Sequence, residues 1–160
     1  MAAAATPRER IAGSFAFPGT YMLLFYLPAR QRVAVGRLGT HLFLRGWYIY
    51  VGSARGPGGV AARVGHHLRC QKRPRWHLDY LRPLMRPRGL GAAPCDREHQ
   101  WAARLGALPG AHLSMKGFGA SDCCCPGHLL YLSRRPEGEA LKNALQGEFP
   151  HDPPLIMITL

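Results

Sequence analysis

The chain has 160 residues, of which 47% are hydrophobic, and it carries 21 Lys and Arg against 9 Asp and Glu, for a formal net charge of +12. The hydrophobic share excludes a disordered chain, and no run of residues approaches the roughly 20 apolar residues that a membrane-spanning helix needs. The short apolar start is followed by basic residues instead of being preceded by them, which does not fit a secretory signal. We therefore expect one soluble, cytoplasmic domain with its own core and no membrane partner.

The positive charge is concentrated in the first half of the chain. From Arg10 to Leu78 there are eleven Lys or Arg and no carboxylate, and 18 of the 21 cations in the whole chain are arginine. A surface of this kind favours a polyanion, because each phosphate contact releases condensed counterions. The sequence therefore predicts nucleic acid, with DNA preferred, as the partner.

The first half of the chain predicts a sheet of short strands. Residues 1–18 are expected to form a flexible arm. The apolar and β-branched runs that follow predict strands, and the tight turns between them indicate antiparallel pairing. The predicted strands are Gly19–Leu27, Gln31–Val35, Thr40–Leu44 and Trp47–Val51.

A glycine-rich loop and a basic helix come next. Gly52–Gly59 contains four glycines and one proline, so the backbone can approach another molecule closely there. Val60–Cys70 is predicted to be a helix, Gln71–Arg75 a basic turn, and Trp76–Leu81 a short helix or strand. The expected contacts to nucleic-acid phosphates are the basic residues of this region, Arg55, Arg69, Lys72, Arg73 and Arg75.

The second half alternates predicted loops with short elements. Three prolines and two glycines predict a loop over Arg82–Pro94, and Asp96 is expected to cap a helix over Arg97–Leu108. His128–Leu132 is predicted to be the last strand. Residues 134–160 are expected to form a tail with a short helix, Glu139–Leu145. The fold class predicted for the chain is α+β, a small antiparallel sheet flanked by helices.

Cysteine and histidine residues near the end of the chain raise the question of a metal site. Five cysteines, three of them consecutive, do not make a disulfide framework and favour a reducing compartment. Cys123, Cys125 and His128 could bind zinc, with Cys124, Asp122 and Cys95 available as further ligands, but their spacing is unusual and the fourth ligand is unspecified. The preferred interpretation is a turn in which Ser121 or Asp122 caps backbone donors and the cysteines pack as small apolar residues, so zinc is not favoured.

A second group of histidines follows the glycine-rich loop. His66 and His67, with His77 and Asp79 further on, could suggest another metal site. A histidine between Trp76 and a leucine is more often a core or hydrogen-bonded residue, which is the preferred interpretation of His77. His67 could instead serve as a general base, because its ordinary pKa of about 6.5 leaves it partly neutral.

Two tyrosines mark strands that we expect to pair. Tyr21 ends the segment Gly19–Tyr21 and Tyr50 begins the segment Tyr50–Gly52, so that both phenols would point to one face near the glycine-rich loop. On these residues the chain resembles the GIY-YIG nuclease superfamily, which is named for two such strands. Other motifs in the matching order are GRLG at 36–39, YVGSA at 50–54, WHLDYL at 76–81, and FGASDC at 118–123 with Cys125 and His128.

The resemblance covers 114 of 160 residues, from Gly19 to about Leu132, and places a GIY-YIG-like domain at residues 19–133. It is closest to a GIY-YIG-like branch of unknown function that is sometimes fused to endonuclease III type DNA repair enzymes. It implies a metal-dependent nuclease that hydrolyses phosphodiester bonds in DNA, with RNA as the alternative substrate. It also implies association with DNA repair proteins.

The resemblance carries catalytic roles to four positions. Tyr21 and Tyr50 match the motif tyrosines, one of which would help to activate water. Arg63 matches the helical arginine that steadies the phosphate. His67, one helical turn later, stands where many members have another tyrosine.

The resemblance also implies one divalent ion, Mg²⁺ or Mn²⁺, held by a glutamate on a later helix. Glu98 is the candidate, and Asp79 and Asp96 are its rivals. Tyr21 and Tyr50 are 29 positions apart, more than in typical members, which predicts an inserted hairpin.

Two functions from other classes remain open at this point. The same basic face would serve a nucleic-acid-binding module without catalysis. A zinc-stabilised interaction domain built on Cys123, Cys125 and His128 is the third alternative.

Overall fold

The computed structural model describes residues 5–146, 151 and 153–160 and has the predicted α+β fold. The helices are α1 (Pro7–Ser14), α2 (Gly59–Leu68), α3 (His77–Leu81), α4 (Glu98–Gly106) and α5 (Gly138–Gln146). The strands are β1 (Gly19–Leu27), β2 (Gln31–Ala34), β3 (Thr40–Phe43), β4 (Gly46–Ala54), β5 (Arg86–Ala93), β6 (His112–Leu113), β7 (Leu129–Leu132) and β8 (Ile156–Thr159). Among the described residues, six antiparallel strands form one sheet in the order β6, β7, β4, β1, β5, β8, and β2 and β3 form a separate hairpin.

Strand β1 is the centre of the sheet, as its continuous apolar character predicts. It pairs with β4 on one side and β5 on the other, and its side chains alternate between two cores. Tyr21 and Leu23 face a core shared with α1, α2 and α3, whereas Met22 and Leu24 face a core shared with α4 and α5. The sheet is therefore the middle of three layers.

The inserted hairpin and the basic helix agree with their predictions. β2 and β3 lie between the two tyrosine strands and pair with each other. Helix α2 ends two residues before Cys70, and the ambiguous segment around Leu78 is helical, as α3. Strand β4 continues three residues beyond Val51, so part of the predicted glycine-rich loop belongs to the sheet.

The loop predicted for Arg82–Pro94 is the largest error in the sequence-based assignment. Most of it is strand β5, which lies between β1 and β8. The glycines that suggested a loop have a packing reason: a Cβ on Gly91 would lie 3.3 Å from Met22 Cγ and 3.5 Å from Met157 Cγ. Small residues in β5 leave room for larger side chains on the strands beside it.

Both ends of the chain carry more structure than expected. Within the predicted flexible arm, α1 begins at Pro7 after the Thr6 cap and buries Ile11, with Phe15 buried just beyond its last residue. The predicted tail contains α5, as expected, but it also contains β8, so β7 is not the last strand. Residues 1–4, 147–150 and 152 of these two segments lie outside the described residues.

Helix α4 begins one residue later than predicted. Its N-cap is Arg97, not Asp96, and its first helical residue is Glu98. Trp101 and Leu105 are buried against the sheet, as their helical spacing predicts, and Leu108 packs beside them. No helix in the described part of the chain has the length and apolar character needed to cross a bilayer.

Candidate active site and cationic cleft

The two predicted tyrosines lie on one face of the sheet. In the pairing of β1 with β4, Tyr21 is opposite Gly52, and Tyr50 is two pairs further along, opposite Leu23. The two ring centroids are 6.4 Å apart. A Cβ on Gly52 would come within 2.5 Å of the Tyr21 hydroxyl oxygen, so the glycine is what lets the phenol lie across strand β4.

Tyr21, His67 and Asp79 form a chain of polar contacts. The Tyr21 hydroxyl lies 2.9 Å from His67 Nε2, and His67 Nδ1 lies 3.4 Å from Asp79 Oδ1. His67 reaches the sheet because it lies on the buried face of α2, with Val60 and Val64. All three polar side chains are buried.

Asp79 is held by several donors at the start of α3. Its Oδ2 accepts hydrogen bonds from the backbone N–H groups of Arg75 at 2.9 Å and Trp76 at 3.0 Å. Its Oδ1 lies 2.7 Å from the Lys72 ammonium. Burial would raise the pKa of the Asp79 carboxyl, but hydrogen bonds from His67, Lys72 and the two backbone donors outweigh it and bring the pKa well below its ordinary value. Asp79 is therefore ionised.

The protonation of His67 follows from these neighbours. Burial lowers the pKa of His67 more than Asp79 raises it, so the imidazole is neutral at pH 7. The ionised Asp79 favours the tautomer with its proton on Nδ1, which leaves Nε2 to accept a hydrogen bond from the Tyr21 hydroxyl. Burial, with Tyr50 adding to it, raises the pKa of Tyr21 well above 10, although Arg63 opposes this. The resting site is a neutral phenol, a neutral imidazole and a carboxylate.

A cationic cleft lies beside the contacts of Tyr21, His67 and Asp79. It has a volume of about 290 Å³ and is lined by the glycine-rich loop, the exposed side of α2 and the turn before α3. Arg63, Arg69 and Arg75 line it together with Trp76. The guanidinium carbons of Arg63 and Arg75 lie 4.5 Å and 4.8 Å from the centre of the Trp76 ring, at cation–π distance. The cleft combines arginines and an aromatic ring, which is a surface suited to phosphates and bases.

The five residues predicted to contact phosphates are placed differently from one another. Arg69 and Arg75 line the cleft, and Arg73 is exposed in the turn between them. Arg55 is at the glycine-rich loop and pairs with Asp96, both largely exposed. Lys72 points inward: its side chain is 11% exposed and its ammonium binds Asp79 and the His66 carbonyl. Lys72 therefore stabilises the buried contacts around Asp79, and its ammonium does not lie on the surface with the four arginines.

Glu98 lies at the same end of the sheet as the tyrosines. Its Oε2 accepts a hydrogen bond from Ser53 Oγ at 2.9 Å, and its Oε1 lies 3.2 Å from His128 Nδ1, without the alignment of a hydrogen bond. Burial would raise the pKa of the Glu98 carboxyl, but His128 and Ser53 lower this pKa by more than burial raises it. Glu98 is therefore ionised. Its charge raises the pKa of both Tyr21 and Tyr50, so the carboxylate is within electrostatic range of both phenols.

The cysteine and histidine residues that the sequence offers as a less favoured zinc site lie close together, and His99 joins them. Ligand atoms of His99, Cys123, Cys125 and His128 all lie within 4.8 Å of one another. His77 is not part of this group. Its Nδ1 accepts a hydrogen bond from the Gly119 backbone N–H at 2.9 Å, which confirms its interpretation as a hydrogen-bonded residue.

Residues 20–149, or 130 of 160, match the family described as "Domain of unknown function DUF123". The chain belongs to this family. The DUF123 match continues past Leu132 and takes in α5, which the sequence analysis placed in a tail. Comparisons with curated proteins and with solved structures find no match.

Two residues have roles in these sites that the sequence does not predict. Asp79, which the sequence offers as a rival metal ligand, is the partner of His67 and Lys72 in the structure. The sequence pattern gives no role to His99. Its position one residue after Glu98 was the available signal, since a helix that brings Glu98 to the tyrosines also brings its neighbour to the same end of the sheet.

Proposed function

We propose that the protein is a metal-dependent nuclease of the GIY-YIG type that hydrolyses phosphodiester bonds in DNA, with RNA as the alternative substrate. The observation that carries the proposal is the contact chain from the Tyr21 hydroxyl through His67 to Asp79, beside Arg63. A buried carboxylate, an imidazole and a hydroxyl in this order are the arrangement that nucleophile-activating sites use.

The proton would move along this chain. A water molecule gives a proton to the Tyr21 oxygen while Tyr21 passes its own proton to His67 Nε2, so the phenol stays neutral. The imidazolium that forms is stabilised by Asp79. The water oxygen bonds to phosphorus, the bond to the leaving oxygen breaks, and solvent protonates that oxygen. Arg63 would hold the non-bridging phosphate oxygens with its planar guanidinium.

Glu98 is the residue that would hold Mg²⁺ or Mn²⁺. Its carboxylate is ionised and its side chain is 22% exposed, which fits an ion that keeps several waters and takes one or two carboxylates from the protein. The bound ion would supply charge stabilisation at the attacked phosphodiester.

Nucleic-acid binding without catalysis is the second candidate, and one observation favours it. Tyr21 and His67 have no exposed surface, so catalysis requires that substrate binding uncover the phenol oxygen. The cationic cleft is already open and needs no such change. A binding module would use the cleft alone.

Cleavage of labelled duplex, single-stranded and branched DNA and RNA, with Mg²⁺ or Mn²⁺, tests the proposal. We expect Tyr21→Phe, Arg63→Ala and Glu98→Gln each to lower cleavage by about 10²-fold or more, the usual loss when one acid–base or charge-stabilising group is removed. Arg88→Ala is the matched control, because Arg88 lines a separate cavity with Met22 and Leu24 on the other face of the sheet. Binding with no cleavage by the unaltered protein would replace the nuclease with the binding module. Cleavage unchanged in all three variants would show a misplaced site.

A further inference from the structure

We infer that the protein holds a structural zinc ion bound by His99, Cys123, Cys125 and His128. Two thiols and two imidazoles are the donor set of closed tetrahedral zinc sites. The inference concerns these four residues alone and does not depend on the nuclease proposal.

The geometry of the four residues is close to that of a filled site. Zinc–sulfur and zinc–nitrogen bonds of about 2.3 Å and 2.05 Å at a tetrahedral angle place the two ligand atoms about 3.6 Å apart. Cys123 Sγ and His128 Nε2 are 3.7 Å apart. The complete set spans at most 4.8 Å, so the widest pair would close by about 1 Å around an ion of this size.

The chain directs two of the three consecutive cysteines to the cluster. Cys123 and Cys125 are partly buried, whereas Cys124 between them is exposed. The sulfur atoms of Cys123 and Cys125 lie within 4.8 Å of each other. All three are free thiols, so the sulfur atoms are available as ligands. This alternation also provides a matched control in the same segment.

His128 is fixed before any ion binds. Its backbone N–H donates to the Phe118 carbonyl at 2.7 Å, and its carbonyl accepts from the Val51 N–H at 3.1 Å. Its Nε2 faces Cys123 while its Nδ1 lies 3.2 Å from Glu98 Oε1. A carboxylate at the second nitrogen of a ligating histidine is the usual outer partner in zinc sites, because it fixes the tautomer that leaves Nε2 free for the metal. Binding would draw this nitrogen and carboxylate into alignment.

A zinc ion here would join two segments that are far apart in the sequence. His99 is in the first turn of α4, and the other ligands belong to the segment before β7. That segment covers Tyr50: Phe118 lies 6.2 Å from the Tyr50 ring centre, and a Cβ on Gly119 would lie 3.0 Å from Tyr50. The ion would therefore hold the start of α4 and the cover of Tyr50 in place.

Metal content is the first test. The full chain, made without added zinc and purified without chelator, is expected to contain one zinc per chain by inductively coupled plasma mass spectrometry. Cys124→Ser should keep that content, whereas Cys123→Ser and Cys125→Ser should lower it to less than a tenth. Less than a tenth of an equivalent in the unaltered protein, or equal loss in Cys124→Ser and Cys123→Ser, would overturn the inference.

Cobalt binding tests the ligand set in the unaltered protein, so the result does not depend on whether a cysteine variant folds during purification. Reduced, metal-free protein titrated with Co²⁺ should develop thiolate-to-cobalt absorption that saturates at one equivalent and disappears when Zn²⁺ is added. His99→Ala should weaken Co²⁺ binding by at least about 10-fold, since it removes one of four ligands. Absence of this absorption in the unaltered protein, or unchanged affinity in His99→Ala, would contradict the assigned ligands.

Discussion

Replacement of Asp79 by asparagine removes one charge while keeping the shape of the side chain. Asparagine can still present an oxygen to the backbone N–H groups of Arg75 and Trp76. Its amide nitrogen must then replace the oxygen that lies 2.7 Å from Lys72 and 3.4 Å from His67. The substitution therefore leaves an ammonium, whose side chain is 11% exposed, without its counter-ion.

The expected loss of stability is about 3 kcal/mol. Breaking a buried ion pair from one side costs about 3–5 kcal/mol, and the low end applies here because the backbone hydrogen bonds survive and Lys72 keeps some access to water. With a urea dependence of about 2 kcal/mol/M, the unfolding midpoint at pH 7 should fall by about 1.5 M. Tryptophan fluorescence and circular dichroism would both follow the transition.

Asp96→Asn is the control for this prediction. Asp96 pairs with Arg55 at the surface, where both side chains are about two-thirds exposed, so its loss should cost less than about 0.5 kcal/mol. If the free energy of unfolding of Asp79→Asn lies within 1 kcal/mol of that of the unaltered protein, the assignment of Asp79 as the buried, ionised partner of Lys72 and His67 is refuted.

The same variant should reverse the tautomer of His67. The asparagine N–H₂ would donate to Nδ1, which places the imidazole proton on Nε2, so His67 could no longer accept the Tyr21 proton. Nitrogen-15 NMR of labelled histidine reports which nitrogen carries the proton. If the enzyme proposal holds, cleavage should fall by about 10³-fold or more for this reason, as expected when an orienting carboxylate is neutralised. An unchanged His67 tautomer would refute the relay.

Three further predictions concern the packing of Tyr21, the protonation of His67 and the core beneath α4. Gly52→Ala should displace the Tyr21 phenol, because a Cβ there would lie 2.5 Å from the hydroxyl oxygen, and loss of the tyrosine hydroxyl signal bonded to His67 would show it by NMR. Gly56→Ala, where the added Cβ meets nothing within 4 Å, should leave that signal in place. The free energy of unfolding should fall as the pH drops below about 6.5, because the unfolded chain then binds a proton at His67 that the folded chain does not. In the folded chain burial lowers the pKa of His67, Asp79 opposes this, and the charges of Lys72 and Arg63 add to it. Urea titrations at pH 7.5 and 5.5 measure this, and equal stabilities would contradict a buried neutral His67. Trp101→Ala should cost about 3–5 kcal/mol of stability, since the ring is buried between α4 and the sheet, and a thermal midpoint within 2 °C of the unaltered protein would contradict that packing.

The sequence predicts those strands and helices whose local residue pattern matches their burial in the folded chain. The apolar run of β1 and the aromatic run of β4 are buried strands, and the helical spacing of Trp101 and Leu105 matches their burial. The local pattern does not predict strand β5, because its glycines and Pro87 have low strand propensity. The neighbouring Met22 and Met157 explain why small residues belong there. The end strand β8 gains its order from pairing with β5, which a local pattern cannot show.

The site divides in the same way between local and long-range information. Arg63 and His67 are four residues apart on one helix, so their spacing alone predicts that they lie on the same side of the helix. Asp79 and His99 join their sites through contacts across the fold, with His67 in one case and with the Cys123 segment in the other. No sequence period links such residues, so only the folded chain brings them together.

Glu98 connects the two candidate centres through its two oxygens. One oxygen accepts from Ser53 on strand β4, and the other lies beside His128 of the cysteine and histidine cluster. If zinc binds, the His128 imidazole is held as a zinc ligand, and the Glu98 carboxylate beside its Nδ1 is positioned by a residue that takes no part in phosphate chemistry. If the nuclease proposal also holds, loss of zinc should weaken cleavage through misplacement of Glu98. The cationic cleft, which is lined by Arg63, Arg69 and Arg75, contains none of the four zinc ligands and should keep its affinity for nucleic acid. Retained binding with reduced turnover in Cys123→Ser would separate positioning of the carboxylate from recognition of the substrate, and equal loss of both would show that the cluster supports the whole fold.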